Sequence, residues 1–182
     1  MKVGDYVFFA PGIHFRDLDL DGSRLPEQYG VRIEGYYLTP AQRAVEASDA
    51  FAAGLLAFAA IDAISRIYYG PNRSKRMGGS DFRSFAQQRL KSFSEATNAD
   101  ILYEKYRNGL VHEARLKEGC QFEIGCSRTI DTSGPTPIID PGRLVDEVRI
   151  SLKQIVSEME VSQQFRDQFA RCLREEFKFE LA

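Results

Sequence analysis

The sequence predicts an all-α protein: an up-and-down bundle of four to five helices over residues 39–182, preceded by a short extended or β arm (1–38) and interrupted by a small hairpin excursion (119–141). Three observations carry that reading. Thr39-Pro40 and Asp140-Pro141 both give the cap-then-proline signal of a helix start. Behind each, apolar residues recur at steps of three and four. Glycine and proline gather between the periodic stretches, in 1–38, 70–80 and 119–141.

Residues 1–38 carry Gly4, Pro11, Gly12, Gly22, Pro26, Gly30 and Gly35 and show no helical period. Val3–Phe9 and Val31–Leu38 therefore read as short strands or as an extended arm packed on the body. Asp17, Asp19 and Asp21 before Gly22 copy the front of a calcium loop, but Gln28 replaces the bidentate glutamate and Pro26 interrupts the loop, so an acidic solvated turn is expected.

From Thr39, with Gln42 at the capping-box position, a helix is expected to run to Tyr69 and stop at Gly70-Pro71. Phe51, Leu55, Phe58 and Ile61 keep helical spacing with alanines between, which suits a central helix covered on several sides. Asp62 stands out there, because a carboxylate in such a helix costs free energy unless a cation or donors satisfy it. It either shares an exposed stripe with Arg66 or supports a polar site. A second helix is expected from Ser80 or Asp81 to about Ala96, and a third from Asn98 to Lys117 with Ile101, Leu102, Tyr106 and Leu110 inward. Alternation at Cys120–Ile124 marks the excursion. Leu144, Val148, Leu152, Ile155 and Met159 define the next helix, and Phe165, Phe169, Leu173 and Phe177 a last one from Ser162.

Composition limits the function. A chain of 182 residues suits one domain with a real core, and 43% hydrophobic with 27% charged residues is ordinary for a globular protein. A net charge of −2 excludes a polycation, so any nucleic-acid contact must use a local basic face. Residues 70–92 supply one: Arg73, Lys75, Arg76, Arg83, Arg89 and Lys91 against the single acid Asp81, with Arg73, Lys75 and Arg76 as candidate RNA-binding residues. Gly78-Gly79-Ser80 lacks the Gly-Lys-Ser/Thr ending of a phosphate loop. Cys120, Cys126 and Cys172 form no CxxC pair and, with two distant histidines, give no zinc spacing; reduced thiols, no metal and no cofactor are expected. Met1–Phe15 lacks the features of a signal peptide, and Ala50–Ile61 is broken by Asp62 and too short to span a bilayer, so a cytoplasmic protein without membrane association is expected.

The chemistry concentrates in Tyr103–Glu113, which holds Arg107, Asn108 and His112, with Gly109 between them. A proton-transfer group and a fixed cation are what metal-free phosphoryl transfer requires. Arg107-Asn108-Gly109-Leu110-Val111-His112 resembles the signature of HEPN domains, in which an arginine, a polar residue, a short gap and a histidine lie late in a helix. The upstream order, a long apolar helix carrying an acid and then a second helix, is similar as well, so the resemblance covers roughly residues 40–180. It implies a helical bundle that forms a homodimer and often a metal-independent endoribonuclease of toxin or defence type, with RNA as substrate and a cognate antitoxin or regulatory protein as a further partner. In that chemistry the RNA 2′-hydroxyl attacks the adjacent phosphate, leaving a 2′,3′-cyclic phosphate and a 5′-hydroxyl. On the matching residues, His112 would be the general acid/base, Arg107 would bind the scissile phosphate, and Asn108 would orient the imidazole or donate to the phosphate, with Asp62 in support. The family also contains members that do not cut RNA, so the alternative is a non-catalytic helical dimerisation module or a nucleotide- or RNA-binding one.

One geometric expectation follows from the spacing. At about 100° per residue, Arg107 and His112 point some 140° apart on a regular α-helix, whereas Asn108 and His112 share a face. Arg107 then meets His112 only by wrapping, by a deformation at Gly109, or through a second subunit.

Overall fold

The computed structural model describes residues 5–69 and 78–182. Two short strands, β1 (Phe8–Ala10) and β2 (Ile13–His14), pair antiparallel around Gly12, whose φ of 77° suits glycine. The helices are α1 (Leu25–Ile33), α2 (Thr39–Glu46), α3 (Ala50–Tyr68), α4 (Gly78–Arg89), α5 (Ala96–Ile101), α6 (Pro141–Val161) and α7 (Gln163–Glu176). The helical class is as expected. Nine of the 19 residues of α3 are buried. α3 is long and apolar enough to cross a membrane, and here it is the central helix, packed against α2, α4, α6 and α7.

The arm is the largest correction. Residues 25–38 are helical, not extended: α1 starts with Pro26 in its first turn, where a missing N–H is harmless, and passes through a π turn at Glu34–Leu38 into α2. Gly35 is not a turn residue; a Cβ there would lie 2.5 Å from Pro11 Cγ, so glycine admits the hairpin loop against the helix. The acidic turn is closed by Gln28, which accepts from Asp19 N–H at 2.8 Å and donates to Asp17 O at 2.9 Å, while Asp21 pairs with Arg174 at 2.6 Å.

The expected single helix 39–69 is two. Ser48 sits at φ 60°, Asp49 N–H donates to Ala44 O and Ser48 N–H to Val45 O, which is a Schellman ending with serine where glycine is usual. Asp49 then caps α3 through Ala52 N–H at 3.1 Å. The second helix ends early, at Arg89, and a 3₁₀ turn at Lys91–Phe93 leads to α5, which begins after Glu95 rather than at Asn98. Asn98 Nδ2 instead donates to Ser92 O at 3.1 Å.

The excursion is more than a hairpin. β3 (Gln121–Phe122), β4 (Ile130–Asp131) and β5 (Ile138–Ile139) form a sheet in the order β3-β5-β4, parallel between β3 and β5 and antiparallel between β4 and β5. It is fastened to the bundle twice. The Phe122 ring fills the space over Gly54 of α3, where a Cβ would come within 3.0 Å of it. Tyr106, stacked on Phe58 and fully buried, donates its hydroxyl toward Pro137 O at 2.7 Å and Gln121 O at 3.0 Å. Asp140 is the hinge between sheet and bundle: buried, it caps α6 through Gly142 and Arg143 N–H and accepts from Gly125 and Cys126 N–H, both at 2.9 Å. Asp140→Ala leaves these donors without an acceptor and should cost about 3 kcal/mol of stability, read as a lower urea midpoint at unchanged slope.

Candidate active site

The helix carrying the Arg/His segment is not a regular α-helix. After α5 the backbone winds as two π turns, Leu102–Arg107 and Gly109–Glu113, with Asn108 N–H donating to Tyr103 O and Ala114 N–H to Gly109 O. In i→i+5 winding, residues five apart stand one above the other, as residues four apart do in an α-helix. Arg107 and His112 are five apart. The 140° divergence expected for an α-helix therefore disappears, and Arg107 Nη1 lies 3.2 Å from His112 Nε2 within one chain. A guanidinium only donates, so Nε2 is the acceptor in this contact. The segment ends at Ala114 in the left-handed region, and the chain doubles back so that Arg115 N–H donates to Gly109 O and Lys117 N–H to Lys105 O.

Asp62 of α3 completes the arrangement. Arg107 Nε donates to Asp62 Oδ2 at 2.9 Å, with both side chains largely shielded. Arg66, the alternative partner on its own helix, reaches across to Glu176 at 2.8 Å. Asn108 does not orient the imidazole; its Oδ1 accepts from Arg107 Nη1 at 3.2 Å and its Nδ2 donates to Glu104 at 3.1 Å. Glu104 is also bonded by Arg83, which lies 2.7 Å from Asp100 and 4.2 Å over the Tyr103 ring. The Arg107 guanidinium is 5.6 Å from the centroid of the same ring. Asp62, Asn108 and His112 thus all hydrogen-bond the Arg107 guanidinium, with His112 on the exposed side of the cluster. Beside them a cleft of about 240 Å³ is lined by Asp62, Arg66, Gly79, Tyr103 and Arg107.

Spacing alone did not mark Arg83, Tyr103 and Glu104. The Glu104/Asn108 pair at i,i+4 was the one legible signal among them. Arg73, Lys75 and Arg76 lie outside the described residues. Of the other basic residues in 70–92, Arg83 is consumed by Asp100 and Glu104, and Arg89 by a two-pronged pair with Glu158 at 2.6 and 2.8 Å, so neither forms part of an open basic face.

Burial raises the Asp62 carboxyl above the usual carboxylate range, against the pull of the Arg107 charge and hydrogen bond and, more weakly, of Arg66 and His112. Desolvation outweighing the partner is the usual balance for a shielded ion pair, whose value lies in positioning more than in stability. A carboxyl raised in the folded state contributes stability that is complete below its unfolded pKa and is lost as the pH rises through the folded one. Asp62→Asn, which keeps an acceptor for Arg107, should flatten that slope in Tm measured from about pH 3 to 7 and leave neutral-pH stability within about 1 kcal/mol of the original. A large fall at neutral pH would show instead that the ion pair is a net stabiliser.

Comparison with protein-family models, with curated proteins and with solved structures returns no match.

Proposed function

We propose that this chain is a metal-independent endoribonuclease of the toxin or defence type, with His112 as general acid/base and Arg107 as the phosphate-binding cation. The observation that carries the reading is the 3.2 Å approach of Arg107 Nη1 to His112 Nε2 on a backbone wound to bring them together. Asp62 and Asn108 hold the Nε and Nη1 side of the guanidinium, and Nη2 has no protein partner among the described residues, which leaves donors for a phosphate oxygen. Electrostatic stabilisation by such a fixed donor is typically the largest single contribution to phosphoryl or acyl transfer. His112, exposed at the rim, then takes the proton of the attacking 2′-hydroxyl and returns one to the departing 5′-oxygen. In this reading the partners are RNA, a second copy of the chain, and a cognate antitoxin or regulator in the cytoplasm; the second copy is no longer needed to bring arginine to histidine.

A second reading has an observation of its own. Asp62, Asp100 and Glu104 surround the arginines, so the local field is mixed rather than positive, as suits a non-catalytic helical dimerisation or nucleotide-binding module. Substrate chemistry separates the two. In EDTA the protein should cleave a short single-stranded RNA and leave its all-2′-deoxy counterpart intact. Cutting both, or cutting only with added metal, would exclude the mechanism, and binding without cutting would favour the module.

A further inference from the structure

A second cleft, of about 290 Å³, lies between α1, α3 and the end of α7, on the other side of Asp62 and Arg66 from the Arg107 cleft. Its floor is apolar, from Ile33, Ala63, Ile67 and Phe177. At this cleft one buried hydroxyl lacks an acceptor among the described residues, and one guanidinium has a hydrogen-bond acceptor for only one of its nitrogens. Tyr29 is 1% exposed and its hydroxyl has no hydrogen-bond partner among the described residues, a deficit that proteins rarely carry because burying an unpaired hydroxyl is costly. Arg32 gives Nη1 to Phe9 O and lies among the rings of Phe9, Tyr36 and Phe177, with centroids at 5.0, 5.5 and 4.7 Å. Rings attract a guanidinium but accept none of its in-plane N–H groups.

The charge balance decides what kind of ligand is missing. The two carboxylates at this cleft are each taken, Asp62 by Arg107 and Glu176 by Arg66. Arg32 has no carboxylate partner among the described residues. The uncompensated charge is therefore positive, and the uncompensated hydrogen-bonding groups are donors. Burial pushes the Tyr29 hydroxyl pKa up, against the pull of Arg32, so it remains a donor at physiological pH. The volume sits at the lower end of small-molecule sites, about 300–1,000 Å³, which is room for a single ring and too little for a length of nucleic acid.

We propose that the Tyr29/Arg32 cleft binds a small organic anion, its carboxylate or phosphate oxygens taken by the Tyr29 hydroxyl and the Arg32 guanidinium and its apolar ring packed on Ile33, Ala63 and Phe177. This site is independent of the nuclease reading and stands if that reading fails. Because Asp62 and Arg66 line both clefts, an occupant lies against the carboxylate that holds Arg107.

The test uses benzoate and phenyl phosphate as probes, with benzyl alcohol as the neutral control, titrated into the full chain and followed by NMR. At least one anion should bind with Kd of about 1 mM or tighter, and benzyl alcohol at least about tenfold more weakly. Tyr29→Phe and Arg32→Gln should each weaken the anion about tenfold or more. Response to phenyl phosphate alone identifies the oxygens as phosphate, and response to benzoate as carboxylate. Without ligand, Tyr29→Phe should raise Tm by about 2–4 °C, because it removes an unpaired hydroxyl and nothing else. The proposal is overturned by absence of binding of both anions up to about 20 mM, by equal affinity for benzyl alcohol, by undiminished binding in the two variants, or by a lower Tm of free Tyr29→Phe.

Discussion

Replacing His112 by alanine is expected to slow RNA cleavage in EDTA by about 10²–10⁴-fold, the usual contribution of a positioned proton-transfer group. Stability should barely move. His112 is exposed, and among the described residues its side chain hydrogen-bonds one arginine, which keeps Asp62 and Asn108 as partners. Thermal melts of the two proteins should superimpose within about 1 kcal/mol. A variant that melts with the original yet cuts RNA at the same rate would leave His112 without a catalytic role, whatever its distance from Arg107. A variant that loses both activity and stability would point to a structural histidine, which the geometry does not support.

Gly109→Ala should be the most damaging single-methyl change in the motif. In an open helix the substitution would gain about 1 kcal/mol from propensity. Here the added Cβ would come under 3.0 Å from the Arg115 carbonyl oxygen, and Lys117 crowds the same space. That oxygen is backbone, fixed by the Arg115 and Lys117 N–H bonds that fold the chain back over the π turns, so it cannot swing aside as a side chain would. Overpacking of this kind costs about 1–3 kcal/mol, at the upper end where the neighbour is rigid, and should outweigh the propensity gain by about 1–2 kcal/mol. The larger effect is on geometry. Moving Gly109–Glu113 by about 1 Å displaces His112 from Arg107, and misplacement on that scale costs about 10²-fold in rate. Gly109→Ala should therefore lose activity by more than its modest loss of stability explains, as judged by comparing cleavage rates at a temperature where both proteins are fully folded.

Capping chemistry made the last two helices legible, whereas Thr39 continues a helical path from the preceding π turn and Asn98 lies inside α5, so neither starts a helix as expected. Asp140 and Ser162 cap α6 and α7 where the sequence places them, and the residues spaced for the α6 and α7 stripes are largely buried. The misreadings have identifiable causes. Ser48 takes a left-handed position that glycine usually announces, so the break between α2 and α3 carried no glycine signal. Gly30, Gly35 and Pro26 look like turn residues in sequence, yet they sit inside a continuous helical path, where proline occupies the first turn and Gly35 makes room for Pro11. β4 and β5 are two residues long, too short for alternation to register. At the site, the residue types were legible and their geometry was not. Two π turns rotate His112 toward Arg107, and no hydrophobic period distinguishes such winding from α-helix over so few residues. Asp62 was marked by its cost in an apolar helix; its partner, Arg107, lies 45 positions away, beyond the reach of any local rule.

The most direct measurement is the end-group chemistry of RNA cut by the purified protein in EDTA, with His112→Ala and Arg107→Ala prepared in parallel. Mass spectrometry should find 2′,3′-cyclic phosphate on the upstream fragments and 5′-hydroxyl on the downstream ones, and neither variant should yield these fragments above background. Fragments with 5′-phosphate and 3′-hydroxyl ends, or the same cyclic-phosphate fragments from both variants, would contradict the assignment of Arg107 and His112 as a metal-free phosphoryl-transfer site.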